Sequence, residues 1–581
     1  MAHDDKGLGP AGSIRRYPRQ WLRTRGFGVQ QQRQFRAGGN LQIHPRTLAA
    51  PTEIAPGSEA RDSRIGHPPI VVYQDSGTLA GMAEVVVIGA GMGGLAAAAR
   101  LSVKGHRVRI LEAGPSYGGK LGSYSRDGFV FDTGPSLLTL PAVYRDLFIK
   151  TGRSQLEDCV DLQPVEPAFR YTFADGTVAE LPGSGTGACA TALGDALGGA
   201  AADDWRALMK RAGEVWRITR RPVLESPLSG PRDLLGLMSS VTDIRTVAPW
   251  RSLRDQGRAS LRDDRLVTLL DRYATYTGSD PRRAPAALVT VPYVEQSFGA
   301  WHLGGGIRTL ADALYDRCLK RGIDVDLNAA VTRITTADGR VTGVELADGR
   351  RLACEVVVAN ADAANVYGRM LNDPAARAPL RSLNHATPSF SGFVLLLAVR
   401  GRTPGLRHHN VWFPHDYDAE FDSVFGRRGD PAHPATDPTI YVCAPADPAM
   451  RPDDDHEAWF VLVNAPRHGT GPGCIDWHQP GLAESYADRV LTVLAGRGTD
   501  IRDRVLWREI RTPADLESAT GAPGGAIYGT SSNGTRAAFL RPANRSPVGG
   551  LYLVGGSVHP GGGLPLVAMS AEIVANLIGR A

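Results

Sequence analysis

The chain has 581 residues, 43% hydrophobic and 22% charged, with a formal net charge of +5; this allows a large core and two interleaved domains and excludes a disordered composition. No run approaches the ~18 consecutive apolar residues of a membrane-spanning helix. Arginine outnumbers lysine by roughly an order of magnitude, but without the clustering that marks a nucleic-acid footprint.

Residues 1–81 are rich in Arg, Gln, Gly and Pro and hold no sustained helical or strand period. Arg15 and Arg16 form a twin-arginine pair, yet the apolar segment of an export signal does not come after it, because Tyr17 to Arg25 is broken by arginines and a proline. Met82 stands immediately before a strand-like run and reads as the functional start, so 1–81 is expected to be a disordered or non-native extension.

From Val85 the chain reads strand, glycine turn, helix, strand. Val85 to Ile88 suits a buried parallel strand. Gly89, Gly91 and Gly94 come next in G-x-G-x-x-G spacing, with Gly93 as an extra glycine. The first glycine permits the tight turn, the second a close backbone approach to a pyrophosphate, and the third close packing of helix on strand. Leu95 to Lys104 favours helix, Gly105 ends it, and Val108 to Leu111 makes the second strand. Glu112 at that strand's end is placed to accept hydrogen bonds from ribose hydroxyls. This combination specifies a dinucleotide without choosing between FAD and NAD.

The residues after Glu112 make that choice. Glu112, Ala113 and Gly114 lead to Gly118, Gly119 and Lys120, and then to Phe131, Asp132, Thr133, Gly134, Pro135 and Ser136. Near the end stand Arg541, Pro542, Asn544 and Arg545, then Leu551 to Gly556, and His559 to Pro565. These blocks resemble the amine-oxidase-like flavoprotein superfamily, and the hexad ending at Ser136 and the C-terminal block are similar to its bacterial carotenoid (phytoene) desaturase branch. The resemblance runs from Ala83 to the C-terminus and includes Gly304 to Gly306, Val356 to Asp362, and His408, His409 and Asn410. It implies FAD as cofactor, with Gly89, Gly91, Gly93, Gly94, Glu112, Ala113, Gly119, Lys120, Gly134, Pro135, Ser136, Val331, Gly555, Gly556, Gly563, Leu564 and Pro565 around it. The family usually has arginine at the position of Lys120, and the two are not interchangeable at forked contacts. Within the tail, Pro565 suits the first turn of a helix whose N-terminus would favour negative charge on a reduced flavin.

The substrate side is less sharply marked. Leu234, Leu237, Met238, Val241 and Ile244 are spaced as one face of a helix, with Arg245, Arg251, Arg254 and Trp250 beside it. That face reads either as core or as a monotopic membrane contact for a lipid-dissolved substrate. Asp233 is similar to a family aspartate proposed as acid–base residue, and is equally placed to cap a helix; His559 is a second acid–base candidate, or a residue that orients its loop. Tyr273 and Tyr276, in a segment resembling desaturases of hydroxylated or methoxylated carotenoids, read as walls offering hydroxyls to a polar end group, or as core aromatics. The six cysteines are scattered, with no C-x-x-C pair and no histidine cluster at ligand spacing, so neither a metal site nor a secreted disulfide framework is expected.

The expected fold is α/β: a discontinuous Rossmann-like FAD domain from 82–155, 300–370 and 520–581, with an inserted α+β substrate domain from 156–299 and 371–519 containing a helical portion. The resemblance implies an FAD-dependent carotenoid desaturase that makes C=C bonds by hydride transfer, with a carotenoid or other isoprenoid lipid as substrate. Oxygen or a membrane quinone would take the electrons, with the protein cytoplasmic and peripheral to the inner face of the cell membrane. A carotenoid isomerase, a retinoid saturase or a non-enzymatic isoprenoid escort protein are the alternatives.

Overall fold

Val85 to Ile88, apolar at every position, is buried throughout as the middle strand of a five-stranded parallel sheet. The computed structural model describes residues 81–228, 230, 240–427, 430–534, 537 and 541–581. Across the parallel sheet the order is Leu551–Leu553, Val356–Ala359, Glu84–Ile88, Arg107–Leu111 and Asp324–Asp326. Its strands therefore come from the beginning, middle and end of the described chain, with Val86 beside Val357 and Val357 beside Leu551. This is the Rossmann-like arrangement expected from the first strand and its glycine turn. Met92–Val103 and the C-terminal helix Leu564–Ile578 cover one face; alanines at 96 to 99 let the first helix lie close, and all of Met92 to Leu101 is buried. Arg100 is buried among them because Asp146 and Glu572 each accept from its guanidinium, at 3.0 and 3.3 Å.

A three-stranded antiparallel sheet, Val331–Ala337, Arg340–Leu346 and Arg351–Ala353, packs its apolar side on the other face of the parallel sheet. The larger sheet has seven strands in the order Val505–Arg511, Ser391–Arg400, His456–Ala465, Ile440–Cys443, His409–Trp412, Phe169–Thr172 and Val178–Leu181. It is mixed: among the described residues its only parallel pairing joins His409–Trp412 to Phe169–Thr172. Its two longest strands pair with each other from Ser391 opposite Ala465 to Arg400 opposite His456. Helices Thr186–Leu197, Ala201–Thr219, Leu253–Ser260, Asp264–Arg272 and Thr290–Phe298 build a separate apolar core against this sheet.

The apolar stripe near 240 is not one helix. Ser240 is extended and caps a new helix, Val241–Val247, by accepting from the Thr242 N–H, so Val241 and Ile244 cannot continue the face begun at Leu234. Leu234, Leu237, Met238 and Asp233 lie outside the described residues. Val241 is 67% and Trp250 63% exposed, which removes both from the core. Arg254, grouped with them in the sequence, is instead buried, bridging Asp271 and the two carboxylate oxygens of Asp418. No helix among the described residues is long and apolar enough to cross a membrane.

Ser391–Arg400, an inner strand of the seven-stranded sheet next to its edge, makes a direct test of this packing. Leu397→Ala, at a side chain 0% exposed, should lower unfolding stability by about 2–5 kcal/mol. Leu506→Ala on the edge strand, 48% exposed, should change it by less than about 0.5 kcal/mol, both read from urea midpoints at constant slope.

Candidate cofactor and active site

The fingerprint turn closes where the Gly89 N–H donates to the Leu111 carbonyl at 2.8 Å. Gly91 caps the helix, and the first intrahelical bond runs from Leu95 N–H to Gly91 O at 3.0 Å. The N–H groups of the first turn therefore point out of the helix end, the arrangement that receives an anion. A side chain at Gly94 would collide with the Gly89 carbonyl oxygen. A Cβ at Gly93 would stand 3.2 Å from the backbone of Gly555 and 2.5 Å from Asn360 Oδ1. The cradle thus joins the first glycine turn, the end of strand Val356–Ala359 and the C-terminal glycine pair. Its donors and its bare backbone fit a dinucleotide pyrophosphate.

Glu112 lies beside this cradle as expected, but its carboxylate accepts backbone N–H groups, from Ala90 at 2.7 Å and Gly114 at 2.8 Å. It holds the turn in shape, and each oxygen keeps a further lone pair for a ribose. Ala113 is exposed next to it. The segment before Val331 runs against this corner, with Asn328 N–H donating to Gly114 O and Ala329 N–H to Glu112 O. Gly119 stands near Gly91, and Gly118 N–H donates to Ala90 O at 2.8 Å. Gly556 approaches Gly562, Gly563 caps the helix that starts at Leu564 and Pro565, and the Leu564 carbonyl accepts from Tyr144.

Lys120 does a job the sequence does not announce. Its buried ammonium donates to the carbonyls of Ala526 at 3.0 Å and Ile527 at 2.6 Å, tying the first flavoprotein-like block to the strap that precedes Tyr528. Burial lowers its pKa to about 8, against the pull of Asp362. Gly134 must be bare because a side chain there would strike the Lys120 carbonyl. Asp132 accepts from Ile307 N–H at 3.0 Å and Arg308 N–H at 3.2 Å at the start of helix Arg308–Lys320, with burial raising its pKa to about 6. Pro135 leads to Ser136, whose hydroxyl shares a 2.6 Å hydrogen bond with Tyr441, and Tyr441 meets His409 Nδ1 at 2.8 Å.

Behind Tyr441 lies a buried cage. The Arg272 guanidinium sits 5.0 to 6.0 Å from the ring centroids of Phe169, Tyr276, Tyr171, Tyr273 and Tyr441. Glu295 accepts from both Tyr273 at 2.7 Å and Tyr276 at 2.8 Å. Burial pushes the Glu295 carboxyl above its usual range, opposed by Arg272 and by these hydrogen bonds. Each tyrosine's single proton is directed at Glu295, so neither offers a free O–H donor to an end group. His559 is buried, and its Nε2 donates to the Ser226 carbonyl at 3.0 Å, since a carbonyl only accepts. Burial lowers its pKa to about 4. Sequence reading missed Tyr441 and Glu295, and gave no individual role to Asn360 or Arg541 although both lie in blocks that carry the resemblance; the Arg541 guanidinium donates to Tyr528 O at 2.9 Å and Gly556 O at 3.1 Å. Only Asn360 carries a local signal, its place at the carboxyl end of a parallel strand, where such folds bind ligands.

This fold, with a glycine cradle at the carboxyl ends of parallel strands and an enclosed second half, is that of a dinucleotide-dependent oxidoreductase. Residues 92–462 match the family described as flavin containing amine oxidoreductase, and the chain belongs to it. It is 34% identical over 508 residues to the 4,4'-diapolycopene oxygenase of a Methylomonas species, covering 85% of this chain and 98% of that protein. It is 32% identical over 513 residues to the hydroxyneurosporene desaturase of Rubrivivax gelatinosus, covering 85% and 93%. The 1-hydroxycarotenoid 3,4-desaturase of a Flavobacterium strain is 30% identical over 507 residues, with 86% and 99% covered. Among solved structures, an oxidoreductase from Methanosarcina mazei aligns with a TM-score of 0.56 at 17% identity, covering 85% of this chain and 100% of that one. A putrescine oxidase variant also aligns at 0.56, with 15% identity and 86% and 99% covered. Both share the fold.

This geometry sets two expected outcomes. Gly93→Ala should reduce the flavin that copurifies by more than about tenfold, measured by absorbance of the cofactor released on denaturation, because a cradle built for contact loses its close approach. Between pH 8 and 10.5 the unfolded chain holds a proton that folded Lys120 has released, so this group makes stability rise with pH. The rise is about 3 kcal/mol in all; Lys120→Met should remove it from urea unfolding of the flavin-free protein.

Proposed function

We propose that this protein is an FAD-dependent desaturase of carotenoids or closely related isoprenoid lipids. The observation that carries the cofactor half is the meeting of Gly93 with Gly555 and Asn360 at an open helix N-terminus. The substrate half is supported by relatives at 30 to 34% identity whose names are those of carotenoid desaturases and oxygenases. When bound, FAD supplies the hydride acceptor.

The chain's own residues have three tasks. The fingerprint N–H groups, Gly555 and Gly556 receive the pyrophosphate, while Glu112 and Val331 border the adenosine end. Ser136, fixed by Tyr441, and the helix beginning at Gly563 border the redox end. The seven-stranded sheet and its helices, proposed as the substrate half, exclude water around the reacting carbons. A hydride leaves one carbon, a proton leaves its neighbour to a base or to water, and the electron pair left behind closes the new C=C bond. Asp233 is the proposed base. His559 is assigned to positioning, because its bond to Ser226 O ties the C-terminal loop to the segment before residue 230.

The substrate enters from a lipid surface through the region of Val241 and Trp250, two large exposed apolar side chains with Arg245 and Arg251 beside them. Electrons leave to oxygen or a membrane quinone. A second reading, oxygenation of the same class of lipid, is favoured by the 34% identity to a diapolycopene oxygenase.

The detergent-purified protein should carry flavin through gel filtration and, in liposomes loaded with an acyclic carotenoid, shift the polyene band to longer wavelength. Mass loss of two hydrogens per step supports desaturation. Incorporation of label from isotopic oxygen gas selects the oxygenase reading. A colourless protein that takes up no FAD overturns both.

A further inference from the structure

A buried cluster of donors lies beside Ser136 and Tyr441. His409 and Cys443 are far apart in sequence, yet they stand directly opposite each other on neighbouring antiparallel strands. His408 precedes the strand, and its carbonyl accepts from Ala444 N–H at 2.9 Å, which holds the two chains together at that end. One ligand atom from each of His408, His409 and Cys443 lies within 4.8 Å of the others. A common centre then exists no more than about 2.8 Å from every donor, the circumradius of an equilateral triangle of that side. Zinc-type bonds of about 2.0–2.1 Å to nitrogen and about 2.3 Å to sulfur would need the imidazoles to close by up to about 0.8 Å and the thiol by up to about 0.5 Å.

Two further observations point to a ligand. His408 Nε2 and His409 Nε2 are buried and find no hydrogen-bond partner among the described residues, an expensive state for a polar atom. Their rings are also held as ligand rings are held. His409 Nδ1 is engaged by Tyr441, which is engaged in turn by Ser136; with Nδ1–H donating to Tyr441, the lone pair of Nε2 is left free. The His408 ring packs edge-on against His302 at 4.8 Å, and His302 meets Asp447 at 2.9 Å. Scattered cysteines and no histidine spacing motif make the sequence look metal-free; strand pairing assembles the set from positions it keeps apart.

We propose that His408, His409 and Cys443 form a site for one borderline-soft cation of zinc type. Two imidazoles and one thiol suit that class, whereas a hard cation would need oxygen donors. The site stands on different residues from the flavin cradle, so its presence or absence is decided separately from the redox reading.

Full-length protein with its flavin is dialysed with Zn2+, freed of excess and counted by plasma mass spectrometry; Co2+ is then substituted for optical work. One equivalent per chain is expected, and the cobalt form should show d–d bands in the red, beyond the oxidised flavin, together with thiolate-to-cobalt charge transfer. Cys443→Ser, a near-isosteric change, should abolish the charge transfer and weaken retention by at least about tenfold, as should His408→Gln. Cys474→Ser, on a thiol away from the cluster, should leave both unchanged. Failure of the wild-type chain to retain any cation, or retention undiminished in Cys443→Ser, overturns the site. Flavin absorbance recorded on the same samples reports the other reading independently. The serine variant keeps the test alive where a histidine variant does not fold.

Discussion

Three stretches of backbone, one near residue 90, one near 360 and one near 555, must meet with no side chains between them. Everything else in the cofactor half depends on that demand. A Cβ at Gly93 would stand 3.2 Å from the Gly555 backbone and 2.5 Å from Asn360 Oδ1, so even a methyl group would force the Asn360 side chain to move. Such close approach is possible only because the three strands carrying these residues are adjacent and parallel, so their carboxyl ends arrive together. The helix N-terminus supplied by Gly91 then has its unpaired N–H groups facing the same space. A chain with strands in this order but a larger residue at 93 would keep the sheet and lose the cradle.

The remaining blocks act as tethers around that meeting point. Lys120 holds the strap at Ala526 and Ile527, Asp132 holds the helix starting at Arg308, and Arg541 holds Tyr528 and Gly556. Each pairs a buried charge with backbone groups of a segment far away in sequence, and each charge is costly to bury without those partners. The replacement of the family's arginine by Lys120 is consistent with this geometry. Two carbonyls on adjacent residues can be met by the tetrahedral ammonium, with no need for a planar fork.

Local patterns made part of this legible in the sequence. The first strand, the glycine turn, the second strand and Glu112 are contiguous, so the chemistry of neighbouring residues suffices to read them. What could not be read depends on register between distant segments. Nothing near Tyr441 says that its hydroxyl will meet Ser136, and nothing near Cys443 says that it will face His409. The stripe around Ile244 misleads because periodicity is blind to a break: Ser240 is extended and caps the helix Val241–Val247, on which Val241 is exposed. Arg254 misleads for a related reason, since proximity in sequence to exposed arginines hides its pairing with Asp271 and Asp418.

In sequence the tyrosines near 273 suggest hydroxyls offered to a ligand, and their actual use changes the picture of the second half. Arg272 carries a full charge into a buried, aromatic-lined part of that half. Five aromatic rings surround it, and two of their hydroxyls pass hydrogen bonds to Glu295, so the opposite charges are joined through tyrosines without direct contact. An arrangement of this kind contributes little net stability, because desolvation offsets attraction, but every member fixes the rotamer of its neighbours. Tyr441 belongs both to the cage, through its ring, and to the cofactor side, through Ser136. The position of Ser136 is therefore set by the packing around the seven-stranded sheet as well as by its own loop, because the residue that holds its hydroxyl is itself held in the cage.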